Sequence, residues 1–179
     1  PGAGPGIAVA TTKAYSTQMV VLNLLGLYFG DIMGTIDLET YTAMVQGIQA
    51  LPHQMEEILS DTGYIQAAAR ELAGHDQVFF IGRNLDYALS LEGSLKLKEI
   101  SYIHSEAYAS GELKHGTISL IEEGTPVIAA ATYMPLFDKA MSNVVEVQAR
   151  GANVLALTTA AGTERMHSRV KNVLTVPEA

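Results

Sequence analysis

The sequence contains no cysteine. The chain therefore has no disulfide bond, no thiolate zinc site and no cysteine nucleophile. Basic residues are also few: 11 lysines and arginines stand against 19 aspartates and glutamates, which gives a formal net charge of -8. A surface that binds nucleic acid needs clustered lysine and arginine. No such cluster occurs, so we do not expect nucleic acid as a partner.

Long hydrophobic runs are missing as well. The most apolar stretch, residues 19–29, is interrupted by Asn23 and is shorter than the ~20 residues that span a bilayer. A buried helix is predicted there. The opening PGAGPG has neither the basic nor the apolar part of a signal peptide. These features predict a cytoplasmic protein without a membrane partner.

The composition that is present, 48% hydrophobic and 17% charged over 179 residues, predicts one ordinary α/β domain with additional pieces. From residue 64 onward, predicted helices alternate with predicted strands. The strands are placed at 77–81, 106–109, 126–131, 153–157 and 172–176, and the helices at 65–73, 85–101, 114–122, 136–150 and 164–171. This alternation predicts a parallel sheet covered by helices on both faces.

The part before residue 64 has a different pattern. Residues 7–10 are predicted as the end of a strand, which needs partner strands from before residue 1 or from another molecule. A helix is predicted to follow, with Thr11 or Thr12 as its N-cap. Residues 37–63 form a predicted helical connector, in which Pro52 should end one helix or open the next.

Three charged residues share one face of the predicted helix 85–101. Glu92, Lys96 and Glu99 recur at i, i+4 and i+7. One interpretation is a solvated face with a Glu–Lys pair worth ~0.3–0.5 kcal/mol. The other is a cleft, because apolar neighbours predict a largely buried helix, whose charges must be paired or face a ligand. These neighbours are Leu91, Leu95, Leu97 and Ile100. We favour the cleft.

His115 lies in the segment ASGELKHG, residues 109–116, between two glycines. With an ordinary pKa near 6.5, a histidine can move protons at neutral pH, although a structural role stays open. A carboxylate base and a histidine acid would suit aldose–ketose isomerisation. The loop after the first strand, residues 82–85, lacks the glycine pattern of a dinucleotide site. No dinucleotide cofactor is therefore expected.

Residues 91–116, LEGSLKLKEISYIHSEAYASGELKHG, closely resemble the signature of the glucosamine-6-phosphate synthase family, the isomerising glutamine–fructose-6-phosphate aminotransferases. AVATTKAYSTQ, residues 8–18, and LPHQMEEIL, residues 51–59, resemble the same family. The resemblance implies two sugar-isomerase (SIS) lobes, each a three-layer α/β/α unit with a five-stranded parallel sheet. Residues 1–36 would be the end of the first lobe, 37–63 the connector and 64–179 the second lobe.

The resemblance also implies roles for individual residues. Glu99 would be the base that moves a proton between C1 and C2 of the sugar, with Lys96 beside the sugar hydroxyls and Glu92 near it. His115 would assist ring opening at the site of the neighbouring subunit, which implies a homodimer. Two further residues would contact the sugar: Val9 and Thr11. Neither a cofactor nor a metal is implied.

The activity implied is the conversion of fructose 6-phosphate and glutamine to glucosamine 6-phosphate, with this chain as the isomerase part. The family's phosphate-binding loop would precede Pro1, its lysine-bearing tail would follow Ala179, and its cysteine-dependent glutaminase domain is not in this chain. Gly6 stands where family members have glutamate. We therefore expect the chain alone to be inactive and to bind fructose 6-phosphate weakly. Two alternatives stay open: an SIS sugar-phosphate sensor of a transcriptional regulator, and an SIS deglycase or sugar isomerase.

Overall fold

The computed structural model describes residues 2–7 and 9–178. The chain divides into two compact units, one up to Ser60 and the other from Asp61 to Glu178. The three-part assignment of residues 1–36, 37–63 and 64–179 to a first lobe, a connector and a second lobe stays a prediction.

The first unit consists of helices α1 (Thr12–Ile32) and α2 (Leu38–Ser60). Thr11 is the N-cap of α1 and donates its hydroxyl to the Val9 carbonyl at 3.1 Å. The strand predicted at residues 7–10 is absent from the described part: residues 2–7 have no regular structure, Val9 and Ala10 form a bend, and Ala8 lies outside the description. The described strands all belong to the second unit, so none is available in the first unit to pair with this segment.

Helix α2 continues through Pro52, so the predicted break at this residue is wrong. Proline removes one backbone donor and crowds the carbonyl four residues earlier. In a helix of 23 residues, several hydrogen-bonded turns remain on either side of Pro52, and they keep the segment helical despite the lost bond.

The second unit contains the predicted sheet. Its strands are β1 (Gln77–Gly82), β2 (His104–Ala109), β3 (Pro126–Ala130), β4 (Asn153–Thr159) and β5 (Asn172–Val176). They are all parallel, in the order β2-β1-β3-β4-β5. Four helices accompany them: α3 (Gly63–Leu72), α4 (Leu85–Ser101), α5 (Phe137–Gln148) and α6 (Ala160–Met166). The prediction of a five-stranded parallel α/β fold is confirmed.

The sheet has two differently covered faces. Helix α4 connects β1 to β2, and α5 connects β3 to β4, so the two connections run in opposite directions across the sheet. Because parallel crossovers are right-handed, α4 lies on one face of the sheet and α5 on the other. Strand alternation agrees: Phe79 and Ile81 join the core with Phe137 of α5. A Cβ placed on Gly93 of α4 would meet the Phe80 ring at 3.0 Å. We call these the α4 face and the α5 face.

Two predicted helices differ from the structure. In place of a helix over 114–122 there are two 3-10 helices, Ser110–His115 and Thr117–Leu120. Gly116 separates them with a φ of 140°, a value that interrupts a helix and that glycine adopts most easily. Helix α6 begins four residues before the predicted start at residue 164. It also ends at Met166, before the predicted end at residue 171, and its Gly162 fits closely against the Thr158 side chain and the Phe137 ring.

Candidate functional site

Helix α4 brings Glu92, Lys96 and Glu99 together, as their spacing predicts. The Lys96 Nζ atom lies 2.7 Å from Glu99 Oε2 and 3.5 Å from Glu92 Oε1. The side chains of Lys96, Glu92 and Glu99 are 18%, 22% and 25% exposed. One ammonium therefore joins two carboxylates at a partly shielded surface, which we call the α4 charge stripe.

The ionisation of Lys96 follows from this pairing. The hydrogen bond to Glu99 raises the pKa of Lys96 above its ordinary value, burial opposes the rise, and the charges of Glu99 and Glu92 add to it. Because the charged form is favoured, Lys96 is an ammonium at neutral pH. It can donate hydrogen bonds to an oxygen that carries or develops negative charge.

The environment of the charge stripe differs from the prediction. The side of α4 that packs on the sheet is small and polar, with Ser90 and Ser94 buried, and it lets the helix approach the strands closely. Leu91, Leu95 and Ile100 are exposed, and Leu97 is half-buried. The expectation that these apolar neighbours bury the helix was therefore wrong. The charge stripe lies on the outer side of α4, between exposed apolar side chains.

Two serines fix α4 to the sheet at the level of the charge stripe. Ser94 of α4 and Ser105 of β2 are both buried. The Ser105 hydroxyl donates to the Ser94 carbonyl at 2.8 Å, and the two hydroxyl oxygens lie 3.0 Å apart. This contact holds the middle of α4, where Glu92 and Lys96 are located.

His115 does not join the charge stripe within this chain. It ends the first 3-10 helix, and its side chain is 76% exposed, with Nε2 3.9 Å from Glu112 Oε2. The preceding residues pack on the α5 face, since Leu113 belongs to the core with Phe137. Glu99 lies on the α4 face. Leu113 therefore lies on the opposite face of the sheet from Glu99, and His115 contacts Glu112 rather than the charge stripe.

The two predicted sugar contacts lie in the first unit. Val9 is exposed, and Thr11 is exposed with its hydroxyl turned to the Val9 carbonyl. They lie in a different unit from the charge stripe. Their predicted role as sugar contacts stays a prediction.

Sequence reasoning missed Asp86. This residue is 3% exposed and lies in the first turn of α4. Its carboxylate accepts hydrogen bonds from the Thr132 hydroxyl at 2.5 Å, the Thr132 N–H at 3.0 Å and the Tyr133 N–H at 3.1 Å. The only local signal was an aspartate at the start of a helix that follows a core strand, which a capping role explains equally well.

Asp86 occupies the crevice where parallel sheets usually bind ligands. The strand order reverses between β1 and β3, and ligands bind beyond the carboxyl ends of the strands at such a point. Here the Asp86 carboxylate takes the backbone donors that follow β3. Gly82 permits this close approach, because a Cβ on Gly82 would lie 2.5 Å from the carbonyl of Asp86. The Asp86 carboxylate thus lies at this crevice and uses the N–H groups of Thr132 and Tyr133.

A third polar group lies on edge strand β2. The Tyr108 hydroxyl donates to Glu106 Oε2, and Glu106 Oε1 lies 3.8 Å from His104 Nε2. Burial, together with the hydrogen bond to Glu106 and the negative charge of its carboxylate, raises the pKa of Tyr108 to about 12. Ser105 of the same strand faces α4. Because side chains alternate along a strand, His104, Glu106 and Tyr108 lie on the opposite face of the sheet.

A comparison with known protein families defines the class of protein. The sequence profile of the SIS domain matches residues 71–178, which covers all five strands and the charge stripe. The chain belongs to the SIS domain family. Within the described residues, no helix combines the length and apolar character that crossing a membrane requires.

Individual relatives are more specific. The chain is 58% identical over 155 residues, 87% of its length, to a glutamine–fructose-6-phosphate aminotransferase (isomerizing) of Symbiobacterium thermophilum. It is 48% identical over 176 residues, 98% of its length, to the enzyme of that name from Clostridium acetobutylicum. It spans 26% and 29% of the length of these two relatives.

A solved structure agrees with the sequence comparisons. The C-terminal domain of the glucosamine-fructose-6-phosphate aminotransferase from Francisella tularensis superposes with a TM-score of 0.91 at 35% identity. The match covers 98% of this chain and 50% of that one. Both units of the chain therefore have counterparts in a single known domain.

Proposed function

We propose that this chain is the isomerase part of a glutamine–fructose-6-phosphate aminotransferase. In this proposal, residues 1–36 end a first SIS lobe, 37–63 connect, and 64–179 form the second lobe. The substrate is fructose 6-phosphate, and the product is glucosamine 6-phosphate. The observation that carries the proposal is the α4 charge stripe, with the Lys96 ammonium 2.7 Å from Glu99, in a chain 58% identical to an enzyme of that name.

The proposed chemistry is a proton transfer between adjacent carbons. Glu99 takes a proton from C1 of the open-chain sugar and returns it to C2, while the O1 hydroxyl proton passes to the oxygen or nitrogen at C2, and the ketose pattern becomes the aldose pattern. Electron density moves onto the oxygen or nitrogen at C2 during this transfer. The Lys96 ammonium, protonated at neutral pH, donates to the sugar oxygens beside the reacting carbons, and Glu92 holds it from the other side. Positioned charge of this kind stabilises a developing anion.

The substrate phosphate is held outside the β1–β3 crevice in this proposal. The Asp86 carboxylate already uses the Thr132 and Tyr133 donors, and a second anion beside a buried carboxylate is unfavourable. A phosphate-binding loop of the first lobe would then supply the missing contacts. Val9 and Thr11, which lie in the part proposed as the end of that lobe, would contact the sugar.

His115 acts in the neighbouring subunit in this proposal. Its place on the α5 face, with the side chain 76% exposed, supports a role on another copy of the chain. The active enzyme would then be a cytoplasmic homodimer that carries a glutaminase domain as the ammonia source.

Hydrogen exchange at the substrate tests the proposal. The full-length protein is incubated with fructose 6-phosphate in D2O, and NMR follows deuterium at C1 of the sugar. We expect deuterium to enter C1 and glucosamine 6-phosphate to form when glutamine is added. A sensor would bind the sugar without exchanging any hydrogen, and that result would refute the proposal.

A further inference from the structure

A polar network crosses the α5 face and ends beside His115. The Arg83 Nε atom donates to Asn143 Oδ1 at 3.0 Å, and Asn143 Nδ2 donates to Glu146 Oε2 at 3.0 Å. Glu146 Oε1 lies 2.9 Å from Lys114 Nζ. These four residues connect the loop after β1, helix α5 and the 3-10 helix that carries His115. We call them the α5 network.

The centre of the network is buried. Asn143 is 4% exposed, and its amide has one usable orientation: the oxygen faces a cation and the nitrogen faces a carboxylate. Burial raises the pKa of Glu146, but hydrogen bonds from Lys114 and Asn143 and the charge of Lys114 bring it below its ordinary value. Glu146 is therefore ionised at neutral pH. An exposed Lys–Glu pair alone would stabilise little. Here the Glu146 carboxylate is also fixed by the hydrogen bond from Asn143, independently of Lys114.

The network contacts a short segment in which Ser110 and Leu113 are also buried. The residues 110–115 are a 3-10 helix, whose hydrogen bonds are weaker than those of an α-helix. Leu113 anchors the middle of the segment in the core, and Gly111 packs on the Arg83 guanidinium, which a Cβ would approach to 3.2 Å. The network thus contacts the segment at Gly111 and Lys114, on both sides of Leu113.

We propose that Arg83, Asn143 and Glu146 are positioning residues for His115. They hold the 3-10 helix so that the imidazole projects from the α5 face in one direction, toward the site of a neighbouring subunit. This inference rests on the proposed function, because it assigns His115 a role in ring opening. It adds three residues that contact neither the substrate nor the charge stripe.

The first test is a double-mutant cycle in the full-length enzyme, with kcat/KM for fructose 6-phosphate as the readout. Glu146→Gln keeps the shape of the side chain and removes its charge. We expect it to lower kcat/KM about tenfold in the wild-type background and less than about twofold in a His115→Gln background. An equal loss in both backgrounds, or no loss in either, would overturn the positioning role.

The second test is amide hydrogen exchange, which needs no activity. We expect exchange in residues 110–120 to become about fivefold faster or more in Glu146→Gln. The same increase is expected in Lys114→Met, a change at an exposed position. Asp138→Asn removes a carboxylate from the same helix, α5, where its partner is Arg165, and should leave that segment unchanged. Unchanged exchange in both network variants would overturn the inference.

The proposed function has a separate outcome. If His115→Gln alone leaves kcat/KM intact, His115 does not have the role that the proposed function gives it. The exchange result then still decides whether the network holds residues 110–115.

Discussion

Ser105 of β2 donates its hydroxyl to the backbone carbonyl of Ser94 in α4 at 2.8 Å. Because this hydrogen is used, the second contact, at 3.0 Å between the two hydroxyl oxygens, is a donation from Ser94 to Ser105. Each serine therefore satisfies the other in a buried setting. The pair fixes the height of α4 against the sheet beside the charge stripe.

The serine pair makes a prediction about coupled stability. Either Ser94→Ala or Ser105→Ala should lower the free energy of unfolding by about 1 kcal/mol, because the remaining hydroxyl is buried with a partner missing. The double variant should lose clearly less than the sum of the two, since removal of both partners leaves no unpaired group. Urea unfolding of the four proteins measures this coupling. Strictly additive losses would show that the serines do not depend on each other.

Asp86 makes a second prediction, about the start of α4. Asp86→Leu leaves the Thr132 and Tyr133 N–H groups without their acceptor and should cost about 1–3 kcal/mol of unfolding free energy for each unpaired donor. Asp86→Asn keeps one acceptor oxygen and should lose less. Asp76→Asn, an exposed position, is the control and should change little. Unfolding midpoints in urea report all three, and equal stability of Asp86→Leu and wild type would contradict the role given to Asp86.

Lys96 should matter more for activity than for stability. Its ion pairs are partly exposed, and such pairs contribute little to protein stability. We therefore expect Lys96→Met to unfold almost as the wild type does while kcat/KM for fructose 6-phosphate falls about 100-fold. Lys98→Met changes an exposed lysine two residues away on another side of α4 and serves as the control. A loss of activity no larger than that of the control would remove Lys96 from the site.

Tyr108 gives a pH prediction. Its pKa is raised to about 12 in the folded protein, against about 10 in an unfolded chain. The folded state therefore binds the phenol proton more tightly. The stability from Tyr108 is fully present below pH 10 and is lost as the pH rises through 12. In a titration at 295 nm, the wild type should show a late tyrosine that Tyr108→Phe lacks, and its unfolding free energy should fall more steeply between pH 10 and 12. Identical titration curves would contradict the raised pKa.

The sheet was predictable because its central strands are apolar along their whole length. The runs at 77–81 and 126–131 gave strand positions within one residue of the structure, and helix 85–101 was placed with its observed bounds. The errors came from backbone effects that periodicity does not record. Gly116 adopts a φ of 140° and divides a predicted helix, and α2 tolerates Pro52 where a break was expected.

The site was predictable only where its residues share one element. Glu92, Lys96 and Glu99 lie on one helix, so spacing alone brought them together. Asp86 was missed because its partners, Thr132 and Tyr133, lie 46 and 47 residues away. Apolar composition around the stripe predicted burial, but the serines pack inward, and Leu91 and Leu95 point outward. Which side of α4 packs on the sheet depends on how closely the helix approaches the strands. The residue pattern of α4 alone does not predict that distance.

The central claim is that Glu99 moves the proton between C1 and C2. The direct test compares Glu99→Gln with Glu92→Gln in the full-length protein, since both variants remove one carboxylate charge that faces Lys96. Isomerisation and deuterium exchange at C1 of fructose 6-phosphate are measured together. We predict a loss of about 100-fold or more in both rates for Glu99→Gln and a clearly smaller loss for Glu92→Gln. Isomerisation that survives Glu99→Gln with little change would contradict the account.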